Sequence, residues 1–134
     1  DVAAYFASLP AKGPQTAPDV SADVLESGRQ LALHGDWDRY IVPCISCHGP
    51  ANQGVGHTFP DISGQHAGYI ADQLRAWRSG TRTGDPQDLM KAIAMRMTDA
   101  DIDAVSAWLS TQPPAERLSD GPVQIAVGQH EGGK

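Results

Sequence analysis

Cys44-Ile45-Ser46-Cys47-His48 constrains this chain more than any other stretch. Two thiols three positions apart, followed at once by an imidazole, form the C-x-x-C-H pattern that attaches c-type haem. On one helical turn the two sulfurs reach the two vinyl groups of one porphyrin and form thioethers. The adjoining imidazole then meets the iron from the proximal side. Two rival uses of paired thiols must be weighed. A thioredoxin-like pair needs a preceding apolar strand in a βαβ setting, and Asp36-Trp37-Asp38-Arg39-Tyr40 supplies neither. A zinc site needs about four ligands, and there is no second cysteine pair to complete one. Haem attachment is the favoured reading, with redox and metal readings behind it.

Composition narrows the classes further. With 134 residues, one domain with its own core is expected. The two cysteines are the only ones, so haem attachment uses both and leaves none for a disulfide. A net charge of −6 argues against nucleic acid and against an anionic membrane surface. No apolar run approaches the ~20 residues that span a bilayer. Any link to a membrane is therefore expected to run through a partner or an anchor outside this sequence. Asp1-Val2-Ala3-Ala4 has neither the basic start nor the long apolar stretch of a signal peptide, which reads as a processed or cut piece of an exported protein.

Periodicity along the chain is helical. Val24, Leu25, Gly28, Leu31 and Ala32 form one amphipathic stripe opened near Ser21. Ile70, Leu74 and Trp77 form a second, stopped by Ser79-Gly80. A third begins at Thr98, with Asp101 three residues on as in a capping box, and carries Ile102, Val105, Trp108 and Leu109 to a stop before Pro113-Pro114. Asp99, Asp101 and Asp103 suit the first turn of a helix and need no further role. No alternating β pattern of useful length occurs, so the fold class is all-α. Residues 113–134 read as a flexible C-terminal tail.

The order of these pieces resembles class I cytochrome c, and most nearly a domain of the di-haem cytochrome c4-like family. Phe59-Pro60-Asp61-Ile62-Ser63-Gly64-Gln65-His66-Ala67-Gly68-Tyr69-Ile70, followed by Gln73-Leu74-Arg75-Ala76-Trp77, is similar to that family's P-x-L-x-G-Q-x-x-x-Y-L…Q-L-x-x-F segment. Leu89-Met90 through Ala94, then Met97-Thr98-Asp99-Ala100-Asp101-Ile102, resembles its M-M…A…L-S-D-x-D-I ending. The resemblance implies a small helical bundle wrapped around one covalently bound haem c, over residues 19–112. Attachment through thioethers is similar to what cells carry out on the periplasmic side, which implies a bacterial periplasmic protein. One departure is His34-Gly35-Asp36-Trp37-Asp38-Arg39-Tyr40, longer than the usual link, either a loop over a haem edge or an insertion.

On this resemblance His48 is the proximal ligand, and the carbonyl of Pro60 accepts from its second nitrogen. Ile62 presses on the porphyrin face. Periodicity alone leaves the distal ligand open, because Met90, Ile93 and Met97 share a helical face. The resemblance assigns Met90, with Met97 at a core leucine's place and Leu89 replacing the first methionine of the family's pair. Met95 and Met97 stay as alternatives. Tyr69, Trp77, Arg75, Arg78 and Arg82 are candidates for propionate contacts. Core packing for the aromatics and a solvated face for the arginines are the plainer readings. His34, His57, His66 and His130 read as surface residues, with bis-histidine ligation through His57 or His66 a minor alternative.

A His/Met iron has no open position for substrate, and no other catalytic set is visible, so one-electron transfer is the expected function, with no enzyme activity of the domain's own. Ile45, Pro50, Ala51 and Val55 are expected to rim an apolar docking edge for redox partners. Those partners are an upstream haem domain, a terminal oxidase or a dehydrogenase, of which this domain could be a module. A gas- or peroxide-binding haem with a labile sixth ligand is the other class. Finally, Val2, Ala4, Tyr5, Phe6 and Pro10 match Val105, Ala107, Trp108, Leu109 and Pro113, about one domain's length apart. Residues 1–18 are accordingly expected to be a preceding haem domain's last helix plus a linker. Tyr5 and Phe6 are then expected to be mobile or opportunistically packed.

Overall fold

The structure, a computed structural model, describes residues 1–8 and 19–114; the side chains of residues 6 and 7 fall outside that description. The linker part of residues 1–18 and nearly all of the expected tail over 113–134 therefore lie outside the described residues, as does His130. Among the described residues there are helices and two isolated bridges, Asp36 with Ile41 and Val55 with Phe59, but no strand.

The first helix, α1 (Val2–Ser8), leaves Val2 and Tyr5 well exposed. The next, α2 (Ala22–His34), opens as the sequence predicts: the Ser21 hydroxyl accepts from the Val24 N–H at 3.3 Å, satisfying a donor the helix cannot. A single turn, α3 (Ile45–His48), carries the cysteine–histidine motif. After a long loop, α4 (Ala67–Ser79) buries Ile70, Ala71, Leu74 and Trp77 and ends at Gly80, whose φ of 79° suits a residue without Cβ. A short α5 (Leu89–Ala94) follows, then α6 (Asp99–Thr111). Both halves of the capping box form at Thr98: its hydroxyl accepts from the Asp101 N–H at 3.1 Å, and Asp101 accepts from the Thr98 N–H at 2.8 Å.

The core lies where α6 is crossed by α2 and α4, with α5 packed on α4. Ile102, Val105 and Leu109 of α6 are fully buried against Leu31, Ala32, Ile70, Leu74 and Met97. The crossing of α2 on α6 is backbone-close at Gly28, where a Cβ would run into the Ala104 carbonyl and touch the Cβ of Trp108. The helical stripes read from the sequence are the faces that meet in this core.

The segment over residues 34–40 forms a short 3₁₀ turn at Trp37–Arg39, closed by the Asp36–Ile41 bridge. Arg39 then reaches α6, bonding Asp101 at 2.6 Å while also pairing with Asp36 at 2.7 Å. The segment is thus a compact knuckle tied to the last helix, with Trp37 and Tyr40 exposed on it.

Candidate functional site

Cys44, Cys47 and His48 share one turn because the backbone closes there: the His48 N–H bonds the Cys44 carbonyl at 2.9 Å, and Gly49 ends the turn with φ 90°. Both cysteines are half-buried and His48 is buried. Burial pushes the Cys44 thiol up to about 11, so the free thiol stays protonated at neutral pH.

The loop after the motif folds back to orient the imidazole. The Gly54 N–H bonds the His48 carbonyl at 2.8 Å, and the Ile62 N–H bonds the Asn52 carbonyl at 2.9 Å. These ties draw the Phe59–Ile62 stretch alongside α3, and a Cβ at Gly54 would collide with the Asp61 nitrogen at 2.7 Å. The Phe59 ring lies edge-on to the imidazole with centroids 6.2 Å apart. The Pro60 carbonyl stands 2.7 Å from His48 Nδ1. A carbonyl only accepts, so Nδ1 carries the proton and Nε2 keeps the lone pair a metal needs. This donor set fits haem c: two thiols for thioethers and one imidazole whose tautomer and ring plane are already set.

The three methionines separate by environment. Met95 is 61% exposed, Met97 is 7% exposed inside the core, and Met90 is half-buried and packed against the core, as Ile62 and Ile93 each are. Trp77 is buried, with the Arg82 guanidinium 4.4 Å above its ring and bonded to Gln73. Tyr69 is 53% exposed. Arg75 faces α6, bonding Asp103 at 2.7 Å, and Arg78 bonds Asp99 at 2.6 Å. His34, His57 and His66 are exposed. Ile45 is half-buried, and Pro50, Ala51 and Val55 are exposed near the motif in sequence.

Two polar residues escaped the sequence reading. Asp85 accepts the backbone N–H of Met90 at 2.8 Å and of Lys91 at 3.2 Å. Its signal was the Asp85-Pro86 pair ahead of an apolar run, which marks a helix start as readily as a turn. Asn52 is 1% exposed in a left-handed conformation with φ 56°, a conformation Asn tolerates better than most residues.

The chain belongs to the cytochrome c family: the family model described as cytochrome c matches residues 38–113. It is similar to the thiosulfate dehydrogenase electron acceptor of Thiomonas intermedia, at 46% identity over 112 residues, 84% of this chain and 51% of that protein. Among solved structures, a thiosulfate dehydrogenase from Marichromatium purpuratum superposes with a TM-score of 0.72 at 38% identity, covering 90% of this chain and 28% of that one. Cytochrome c4 from Pseudomonas stutzeri superposes with a TM-score of 0.70 at 30% identity, covering 84% and 58%. The chain spans about half the length of the curated relatives it matches. The fold is that of a class I c-type cytochrome, and the domain transfers electrons through one haem c held covalently by Cys44 and Cys47. No described helix is long and apolar enough to cross a membrane.

Proposed function

We propose that this chain is one haem domain of a longer periplasmic multi-haem cytochrome, closed by His48 and Met90, that accepts electrons from a dehydrogenase of the thiosulfate-oxidising kind. The observation that carries the ligand reading is the His48 Nδ1–Pro60 bond of 2.7 Å, which leaves the other ring nitrogen with a lone pair available for ligation. When bound, haem c supplies a centre that exchanges one electron. Cys44 and Cys47 keep it on the chain through successive encounters, and His48 needs no tautomer change as it works. The Met90 thioether favours the reduced state relative to a second nitrogen ligand, raising the potential. Its half-buried place at the core edge supports it over exposed Met95 and core Met97. Ile62, also partly buried against the core, suits contact with the porphyrin face.

An apolar edge of Ile45, Pro50, Ala51 and Val55 suits brief docking, since redox encounters use small interfaces. The thiosulfate-linked relatives support the donor class. The parent's size is supported by the relatives' length and by the likeness of Val2–Ser8, itself helical, to the end of α6. One haem per full-length parent chain would refute the multi-haem part. Carbon monoxide added to the reduced domain tests the closed iron: no prompt spectral change is expected. A prompt change would instead support a gas- or peroxide-binding domain with a labile sixth ligand.

A further inference from the structure

Met90 enters α5 as its second residue, directly after an unusual stretch of backbone. Gln87 and Asp88 both hold left-handed φ angles, 58° and 54°, and neither is glycine. Two such residues in succession persist only where the surroundings over-determine them. The side chain of Asp88, at the cap position, makes no capping bond. The Leu89 N–H bonds the Pro86 carbonyl, and the next two donors of α5 go to Asp85, five residues before Met90: one carboxylate oxygen accepts from Met90 at 2.8 Å and Lys91 at 3.2 Å, while the Asp85 carbonyl accepts from the Asp88 N–H at 3.2 Å. Its other carboxylate oxygen is buried with no hydrogen-bond partner among the described residues. Asp85 thus staples both ends of a strained turn whose far end is Met90.

We propose that Asp85 is a positioning residue for Met90, its carboxylate fixing the backbone from which the sulfur reaches the haem. This rests on the reading of Met90 as sixth ligand. Without the clamp, Gln87 and Asp88 relax toward ordinary φ values, and α5 loses the register that aims Met90. Asn at this position still offers an oxygen acceptor to the two N–H groups, whereas Ala offers none.

The test uses the oxidised holoprotein with the variants D85A, D85N and M90A, following the weak near-red sulfur-to-iron band and the displacement of that ligand by imidazole. D85A is expected to bind imidazole about tenfold more tightly than wild type, the equivalent of about 1.4 kcal/mol of lost clamp. It should also lose the band at lower temperature. D85N should stay within about threefold of wild type, because the acceptor is restored. If D85A does not accumulate as holoprotein, D85S, whose shorter hydroxyl cannot span both donors, is read in the same way. A D85A or D85S protein with lowered denaturant midpoint but wild-type band and imidazole affinity would overturn the proposal, reducing Asp85 to an ordinary cap. An M90A protein that keeps the band would sink the ligand reading itself, whatever the Asp85 variants do.

Discussion

His48 and the three methionines show how residue-scale chemistry divides between what a chain spells out and what only packing decides. The imidazole's partner is local in sequence, twelve residues away, and the Pro60 carbonyl lies at 2.7 Å as the family resemblance implied. The methionines were not separable by spacing, because two of them share a helical face and any of the three could have been core. Environment separates them. Met97 is buried among Ile70, Leu74 and Ile102 in the core cluster, while Met95 stands in solvent. Met97→Ala should therefore cost about 2–5 kcal/mol through the cavity it leaves. Met97→Leu should cost less than about 1.5 kcal/mol. Met95→Leu should sit within about 0.5 kcal/mol of wild type. Guanidinium midpoints measure all three, and neither leucine variant should lose the near-red band. Met90→Ala should lose that band and lower the potential with a smaller change in midpoint. The Asp85 clamp was invisible at this scale, because an Asp-Pro pair marks turns and caps alike and neither Gln87 nor Asp88 advertises a left-handed backbone.

Elements were more legible than the ties between them. Ser21, Thr98–Asp101 and Gly80 mark helix ends through donors and acceptors within a few residues, so sequence alone exposes them. Gly28 reads as one position of an apolar stripe, but its real constraint is the carbonyl of Ala104 on another helix. Gly28→Ala should force α2 away from α6 and destabilise the fold by about 1–3 kcal/mol, although alanine is the better helix former. A guanidinium midpoint at or above the wild-type value would contradict the close crossing. The Arg39–Asp101 bond is likewise hidden, spanning 62 positions with no local signature. Burial of Asp101 works against its charge, but hydrogen bonds from Arg39 and Thr98 outweigh it and hold the carboxyl below the usual carboxylate range. A carboxyl depressed in the native state stabilises at pH above its unfolded value of about 3.9, and the gain is lost as pH falls through the native value. The thermal midpoint should accordingly drop below about pH 4. Arg39→Met, which keeps the alkyl stem, should lower the midpoint at neutral pH by a few degrees and flatten the acid limb. Melting curves across pH 2–7 (roughly the carboxylate range and above) check both.

At the scale of the whole molecule, five consecutive residues dictate the architecture. Two thioethers, at Cys44 and Cys47, pin the cofactor to a single turn, and the Phe59–Ile62 loop folds back along that turn to set the His48 ring through the Pro60 carbonyl. The three longer helices, α2, α4 and α6, close the core beside it. As a member of the cytochrome c family, the domain holds one redox centre on that turn and transfers electrons through it. The charged ties on the outside, Arg75 to Asp103 and Arg78 to Asp99, bind α4 to α6 and are exposed enough that salt should weaken them with little effect on the centre. The most direct test of the account is a spectroelectrochemical titration of the purified holoprotein. It should give a single reversible wave with a slope of about 59 mV per decade, the signature of one electron, and the near-red sulfur band should fade in step with reduction. A wave that splits, moves with carbon monoxide, or runs without that band in the oxidised form would contradict a closed, methionine-ligated electron carrier.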